Sequence, residues 1–127
     1  MYDYNDIRTL HLEITEKCNA ACPMCARNIN GGEDNPWLQN AELSLNDIVT
    51  IFPDTFIQQL NHMFMCGNYG DPIVAKDTLK VFKHFRSVNP TIYLSMNTNG
   101  SARTTYWWKE LAEVIGTDGY VIFSIDG

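Results

Sequence analysis

Cys18, Cys22 and Cys25 lie in one short stretch, Cys18-Asn19-Ala20-Ala21-Cys22-Pro23-Met24-Cys25. This C-x3-C-x2-C spacing lets a single loop offer three thiolates to one metal centre. Structural zinc normally takes four protein ligands in two separated pairs, and a ferredoxin cluster is held by four cysteines. Three ligands leave one coordination position for a molecule from outside the protein. A fourth cysteine, Cys66, follows an apolar run and reads as a buried strand thiol, a small hydrophobe rather than a ligand. The competing reading of the triplet is a zinc knuckle completed by Cys66 or His11.

The loop needs a framework, and the composition supplies one. The 127 residues are 45% hydrophobic and 19% charged, enough apolar material for one domain with its own core. A net charge of -6 argues against a nucleic-acid backbone or an anionic membrane surface as main partner. No stretch approaches the roughly 20 apolar residues of a membrane span. The opening Met1-Tyr2-Asp3-Tyr4-Asn5-Asp6 lacks the basic and apolar regions of an export signal, so the expected location is cytoplasmic. Without an export signal, crowded cysteines read as metal ligands rather than disulfides.

Apolar, β-branched segments alternate with helical patterns along the chain, which is the arithmetic of βα units. The first strand is expected over Thr9 to Thr15, with Leu10, Leu12 and Ile14 on one face and His11, Glu13 and Thr15 on the other. An irregular stretch with Gly31-Gly32 and Asn35-Pro36 follows the cysteines. Ser44-Leu45-Asn46-Asp47 then offers a capping box to a short helix carrying Ile48, Ile51 and Phe52, which Pro53 ends. A second strand over Leu60 to Cys66 runs into Gly67-Asn68-Tyr69-Gly70-Asp71-Pro72. A helix from about Ala75 to Val88 sets Val81, Phe82 and Phe85 against a lysine-bearing side. A third strand over Thr91 to Met96 leads to Asn97-Thr98-Asn99-Gly100, a helix over Thr105 to Ile115 follows, and a fourth strand over Tyr120 to Ile125 ends at Asp126-Gly127. Strand and helix in alternation predict an α/β fold with parallel pairing and right-handed crossovers. Ligands of such folds collect at the carboxyl ends of the strands, where every unusual motif of this chain sits.

The cysteine loop after the first strand, the Gly-rich acidic-Pro turn after the second, the Asn-Gly turn after the third and Ser-Ile-Asp-Gly after the fourth together resemble the radical S-adenosylmethionine (radical SAM) superfamily over essentially the whole chain. The resemblance implies a partial parallel (βα) barrel, of which residues 1–127 are the N-terminal portion of the core domain, cut after about four strands. It implies that Cys18, Cys22 and Cys25 hold a 4Fe-4S cluster whose fourth iron takes the amino and carboxylate groups of SAM. One electron then cleaves SAM to a 5′-deoxyadenosyl radical that abstracts a substrate hydrogen. By the same resemblance, Tyr69, Gly70 and Asp71 meet the methionyl ammonium, with Asp71 in place of the commoner Glu and Tyr69 in place of a Gly. Ser124 and Asp126 face the ribose, Asn97 and Asn99 touch SAM or substrate, and Met24 packs near the adenine. A flavodoxin or ferredoxin-like protein would donate the electron. The turn and loop most resemble members with a SPASM or twitch extension that modify peptides. The alternatives are a small-molecule cyclase similar to the first enzyme of molybdenum-cofactor synthesis, and a non-catalytic metal-binding fragment.

Other conspicuous residues carry plainer readings. His11, Glu13 and Glu16 are either lumen groups acting on substrate or satisfied polar residues. Tyr106, Trp107 and Trp108 fall on a helix with core periodicity and read as packing rather than as a platform for bases. Lys80, Lys83 and Arg86 read as a solvated face, with docking of an acidic electron carrier as the alternative. Arg27 and Asn28 either steady the cluster or cap a following helix. The Gly67 to Pro72 turn lacks the G-K-[ST] ending of a phosphate loop.

Overall fold

A computed structural model describes residues 1–125 of the chain. Four strands, β1 (Thr9–Leu12), β2 (His62–Met65), β3 (Tyr93–Thr98) and β4 (Gly119–Phe123), form one sheet in the order β1-β2-β3-β4. Every pairing is parallel, with Leu12 opposite Met65, Met65 opposite Met96, and Met96 opposite Val121. The four strand ends that precede the motifs therefore lie along one edge, as the alternation of strand and helix predicts.

Four helices, α1 (Leu45–Ile51), α2 (Asp54–Gln59), α3 (Thr78–Val88) and α4 (Thr105–Ile115), accompany the sheet. The capping box forms as expected: Ser44 Oγ accepts from Asp47 N while the Asp47 carboxylate accepts from Ser44 N at 2.8 Å. Pro53 does not simply end that segment. It is the N-cap of α2, since a missing N–H costs nothing where helical amides have no partner. The core lies between the sheet and the helices, where Met63, Met65, Leu94 and Met96 meet Val81, Phe82, Phe85 and Leu111, all buried. Each such side chain contributes about 1.5–3 kcal/mol relative to exposure. The pattern Leu10, Leu12, Ile14 does set the core face, with Leu12 and Ile14 buried and Leu10 partly so.

The opposite face of the sheet is uncovered and aromatic. His11 stacks on Phe64 with ring centroids 4.5 Å apart, and Tyr93 lies 5.8 Å from Tyr120. His62 Nε2 is 2.8 Å from Ser95 Oγ, and partial burial holds the His62 imidazole below its usual pKa. β1, β2 and β4 are shorter than the sequence patterns suggest, whereas β3 keeps the expected length but is shifted by two residues, so that Asn97 and Thr98 belong to the strand rather than to the turn after it. No helix of the described residues is long and apolar enough to cross a membrane.

Candidate functional site

A cleft of about 180 Å³ opens at the carboxyl edge of the sheet. Cys18, Cys22 and Cys25 line it from the loop after β1, and Cys66 to Asp71 from the turn after β2. Asn97, Thr98 and Asn99 contribute from the end of β3, and Ser124 from the residue after β4. The cysteine loop is thus brought against the ends of the other three strands.

Backbone proximity explains why glycines occupy the second turn. A Cβ on Gly70 would sit 1.8 Å from the Thr15 carbonyl oxygen, and one on Gly67 would sit 2.3 Å from that of Gly70. Gly70 therefore lets the turn lie against the segment that leads into the cysteines. Asp71 N donates to the Lys17 carbonyl at 2.9 Å and closes that contact. The Asp71 carboxylate is buried. Its Oδ1 accepts from Ile73 N at 3.0 Å and from Thr98 Oγ1 at 2.7 Å, and its Oδ2 accepts from Asn99 N at 2.7 Å. It is a strut between the second and third turns, with three of about four acceptor positions used inside the protein.

The cysteines are all free. Cys18 and Cys25 are half-buried and Cys22 is exposed. Ala20 N donates to Cys18 Sγ at 3.4 Å, and Asn99 Nδ2 approaches the same sulfur at 3.8 Å. Among the described residues, no three His, Cys, Asp or Glu side chains converge on a single ion. A 4Fe-4S cluster is held by thiolates and spreads its ligands over separate irons, so three soft sulfur donors around one cleft suit it without convergence on one point. Cys66 is unsuited to be a ligand: burial first, and then the nearby charges of Glu13 and Asp71, push its thiol pKa up and keep it protonated.

The other residues singled out above take varied places. Tyr69 and Gly70 line the cleft beside Asp71, and Ser124 is held at its rim by a 2.8 Å bond from its amide to the Thr98 carbonyl. Met24 stands apart, 97% exposed and outside the cleft lining, although it neighbours Cys25. Asp126 lies outside the described residues. His11 and Glu13 are satisfied polar groups: His11 Nε2 donates to the Cys66 carbonyl, and Glu13 accepts from Asn68 N at 3.1 Å and Asn68 Nδ2 at 2.6 Å.

No helix follows Cys25, so Arg27 and Asn28 do not cap one. Arg27 is buried and binds back to the Glu16 carbonyl while pairing with Asp34 at 2.9 Å, which fastens the chain after the cysteines to the chain before them. Asn28 is buried with its side-chain amide unpartnered. Arg86 is not part of a solvated face, since its guanidinium donates to the Val114 and Ile115 carbonyls at the end of α4 and to the Ile92 carbonyl just before β3. Lys80 pairs with Asp77 and Lys83 with Glu110.

Sequence reasoning missed Asn19 and Ser101 as partners in the site, whereas Glu16 stood, like His11 and Glu13, as either a lumen group or a satisfied polar residue. Glu16 Oε2 accepts from Gln39 N and Ala41 N, anchoring the far end of the irregular stretch. The only signal for Asn19 and Ser101 was adjacency to the motifs.

No protein-family model matches the chain. It is 30% identical over 120 residues to the tungsten-containing aldehyde ferredoxin oxidoreductase cofactor-modifying protein of Pyrococcus furiosus, an alignment covering 94% of this chain and 31% of that relative. The chain thus spans about a third of that relative's length. Its backbone matches the crystal structure of BtrN in complex with AdoMet and 2-DOIA with a TM-score of 0.71 at 18% identity, over 94% of this chain and 46% of BtrN. The two share a fold, and the four parallel strands described above correspond to a partial barrel.

Proposed function

We propose that this chain is the cluster- and SAM-binding part of a radical SAM enzyme. The observation that carries the reading is the cleft itself, where three free cysteines from one loop stand against the carboxyl ends of β2, β3 and β4. That BtrN, which shares the fold, is seen with AdoMet supports the same ligand here.

A 4Fe-4S cluster, when bound, supplies the electron that splits the sulfonium of SAM to release a 5′-deoxyadenosyl radical for hydrogen abstraction. The protein's part is to bind and orient. Cys18, Cys22 and Cys25 would hold three irons as thiolates. Gly67 and Gly70 let the second turn fold tightly against the segment before the cysteines, and the backbone carbonyls it presents to the cleft would receive the methionyl ammonium. The Ser124 hydroxyl at the end of β4 would take the ribose. Asn97, on the β3 strand end, lines the floor between them. Tyr69 offers an aromatic wall where the family has glycine.

The name of the Pyrococcus relative, a cofactor-modifying protein, favours a cofactor or small-molecule substrate for the whole protein over a peptide. A flavodoxin or ferredoxin-like donor fits the one-electron requirement, and a cytoplasmic setting fits an oxygen-sensitive centre. Anaerobic reconstitution with iron and sulfide tests the reading. The expected result is about four irons per chain, cluster absorbance that a Cys18/Cys22/Cys25→Ser variant loses, and 5′-deoxyadenosine formed from SAM under reduction. Stoichiometric zinc with no cluster absorbance would refute it.

A further inference from the structure

Asn99 lies at the end of β3 with every hydrogen-bonding position of its side chain in use. Its Oδ1 accepts from Ser101 N at 2.9 Å and from Ser101 Oγ at 2.7 Å. Because a backbone N–H can only donate, the amide orientation is fixed by chemistry, and Nδ2 faces the cysteine loop. There Nδ2 donates to Asn19 Oδ1 at 3.0 Å and points at Cys18 Sγ, 3.8 Å away. Asn19 Nδ2 in turn donates to Ser101 Oγ at 3.0 Å. Asn19, Asn99 and Ser101 form a closed ring, and the Asn99 backbone amide is itself held by the buried Asp71 carboxylate.

An asparagine amide has two N–H donors and two acceptor lone pairs. All four are accounted for within the protein, so nothing is left for a ligand in the cleft.

We propose that Asn99 is a positioning residue for the cysteine loop: it fixes Cys18 through Asn19 and donates an N–H to the Cys18 sulfur, rather than contacting SAM or substrate. The inference rests on the cluster reading above and assigns Asn99 a different job from the one the family resemblance implies. Hydrogen bonds to ligand sulfur disperse negative charge on it, favour the reduced cluster and raise its reduction potential. Fixing the loop slows ligand loss, and losing such an outer partner typically costs about 10–100-fold in metal affinity.

The whole protein, reconstituted anaerobically, is compared with Asn99→Asp, Asn99→Ala and Asn19→Ala. Asn99→Asp keeps the acceptors for Ser101 but puts a carboxylate beside Cys18 where the donor was. Both Asn99 variants are expected to lower the cluster midpoint potential and to release iron to a chelator about tenfold faster or more, while SAM affinity changes less than iron release. Asn19→Ala, at an exposed position, removes the clamp and spares the contact to sulfur, so it speeds iron release and leaves the midpoint near that of the parent. In the cluster-free protein, amides of residues 18–25 exchange faster in Asn99→Ala.

Unmoved midpoint and iron release with weakened SAM binding would overturn the inference and make Asn99 a ligand contact, leaving the cluster reading intact. A parent protein that takes up no iron-sulfur cluster would overturn both, and would do so before any variant is made.

Discussion

The Asp71 carboxylate is turned inward. Its three bonds, to Ile73 N, Thr98 Oγ1 and Asn99 N, all lie within 3.0 Å, and the side chain is 6% exposed. A glutamate at this position would carry its oxygens one methylene further from the backbone. Aspartate keeps them close enough to bridge two turns, and the backbone of the turn is left to face the cleft. Replacing Asp71 by Asn turns one acceptor oxygen into a donor, which sets N–H against the backbone N–H of Asn99 or of Ile73. An unpaired buried polar group costs about 1–3 kcal/mol. Asp71→Asn is therefore expected to lower the unfolding free energy by that amount, seen as a lower urea midpoint with an unchanged denaturant slope. A variant as stable as the parent would remove the strut from the account.

At the scale of elements, Arg86 on α3 holds more of the fold than its position suggests. Its Nε donates to the Val114 carbonyl at 3.0 Å, and its terminal nitrogens to Ile115 at 3.1 Å and Ile92 at 2.6 Å. Val114 and Ile115 are the last residues of α4, whose carbonyls have no intrahelical partners. One side chain thus caps α4 and ties it to α3 and to the approach to β3. Lysine is a point charge without the guanidinium fork, so Arg86→Lys is expected to lose about 1.5–3 kcal/mol of stability. Lys83→Ala, which removes only an exposed ion pair, is the control and should change little. Equal losses in a denaturant titration of both variants would deny Arg86 this role. Helical periodicity places Arg86 on the polar side of α3 but says nothing of how far its side chain reaches, which is why the sequence reading left it in solvent. Elements whose limits are set by local chemistry were legible: α4 runs from Thr105 to Ile115, as the pattern predicts, and the structure adds Thr104 as its N-cap. α2 was not, because a proline that ends one helix also starts another. The order of motifs along the strand ends was legible from sequence. The contact between Asn99 and Asn19, 80 residues apart, was not, since neither residue carries a pattern that names its partner.

The molecule as a whole joins two unlike parts. The parallel sheet and its helices enclose Met63, Met65, Leu94 and Met96 with no exposure, and their amides belong to continuous ladders. The chain from Cys18 to Asn40 contains no helix or strand. Most of its backbone bonds are made within its own turns, such as Cys25 N to Cys22 O at 3.0 Å and Gly32 N to Ile29 O at 2.9 Å. Its ties to the rest are a handful of side chains, Arg27, Asn19 and Glu16 among them. Segments with few buried apolar contacts open at low free-energy cost, while core strands open only with global unfolding. In the cluster-free protein, native-state hydrogen exchange should therefore separate the two. Amides from 19 to 40 are expected to exchange at rates insensitive to low urea, and those of β2 and β3 in step with global unfolding. Thiol alkylation gives the same contrast by independent chemistry. Cys22, exposed on the loop, should react first, and Cys66, half-buried with its thiol pKa pushed up, should react last. Protection of the loop amides equal to that of the core, together with uniform alkylation, would mean that the cysteine loop is built into the cooperative core instead of being held on it by a few side chains.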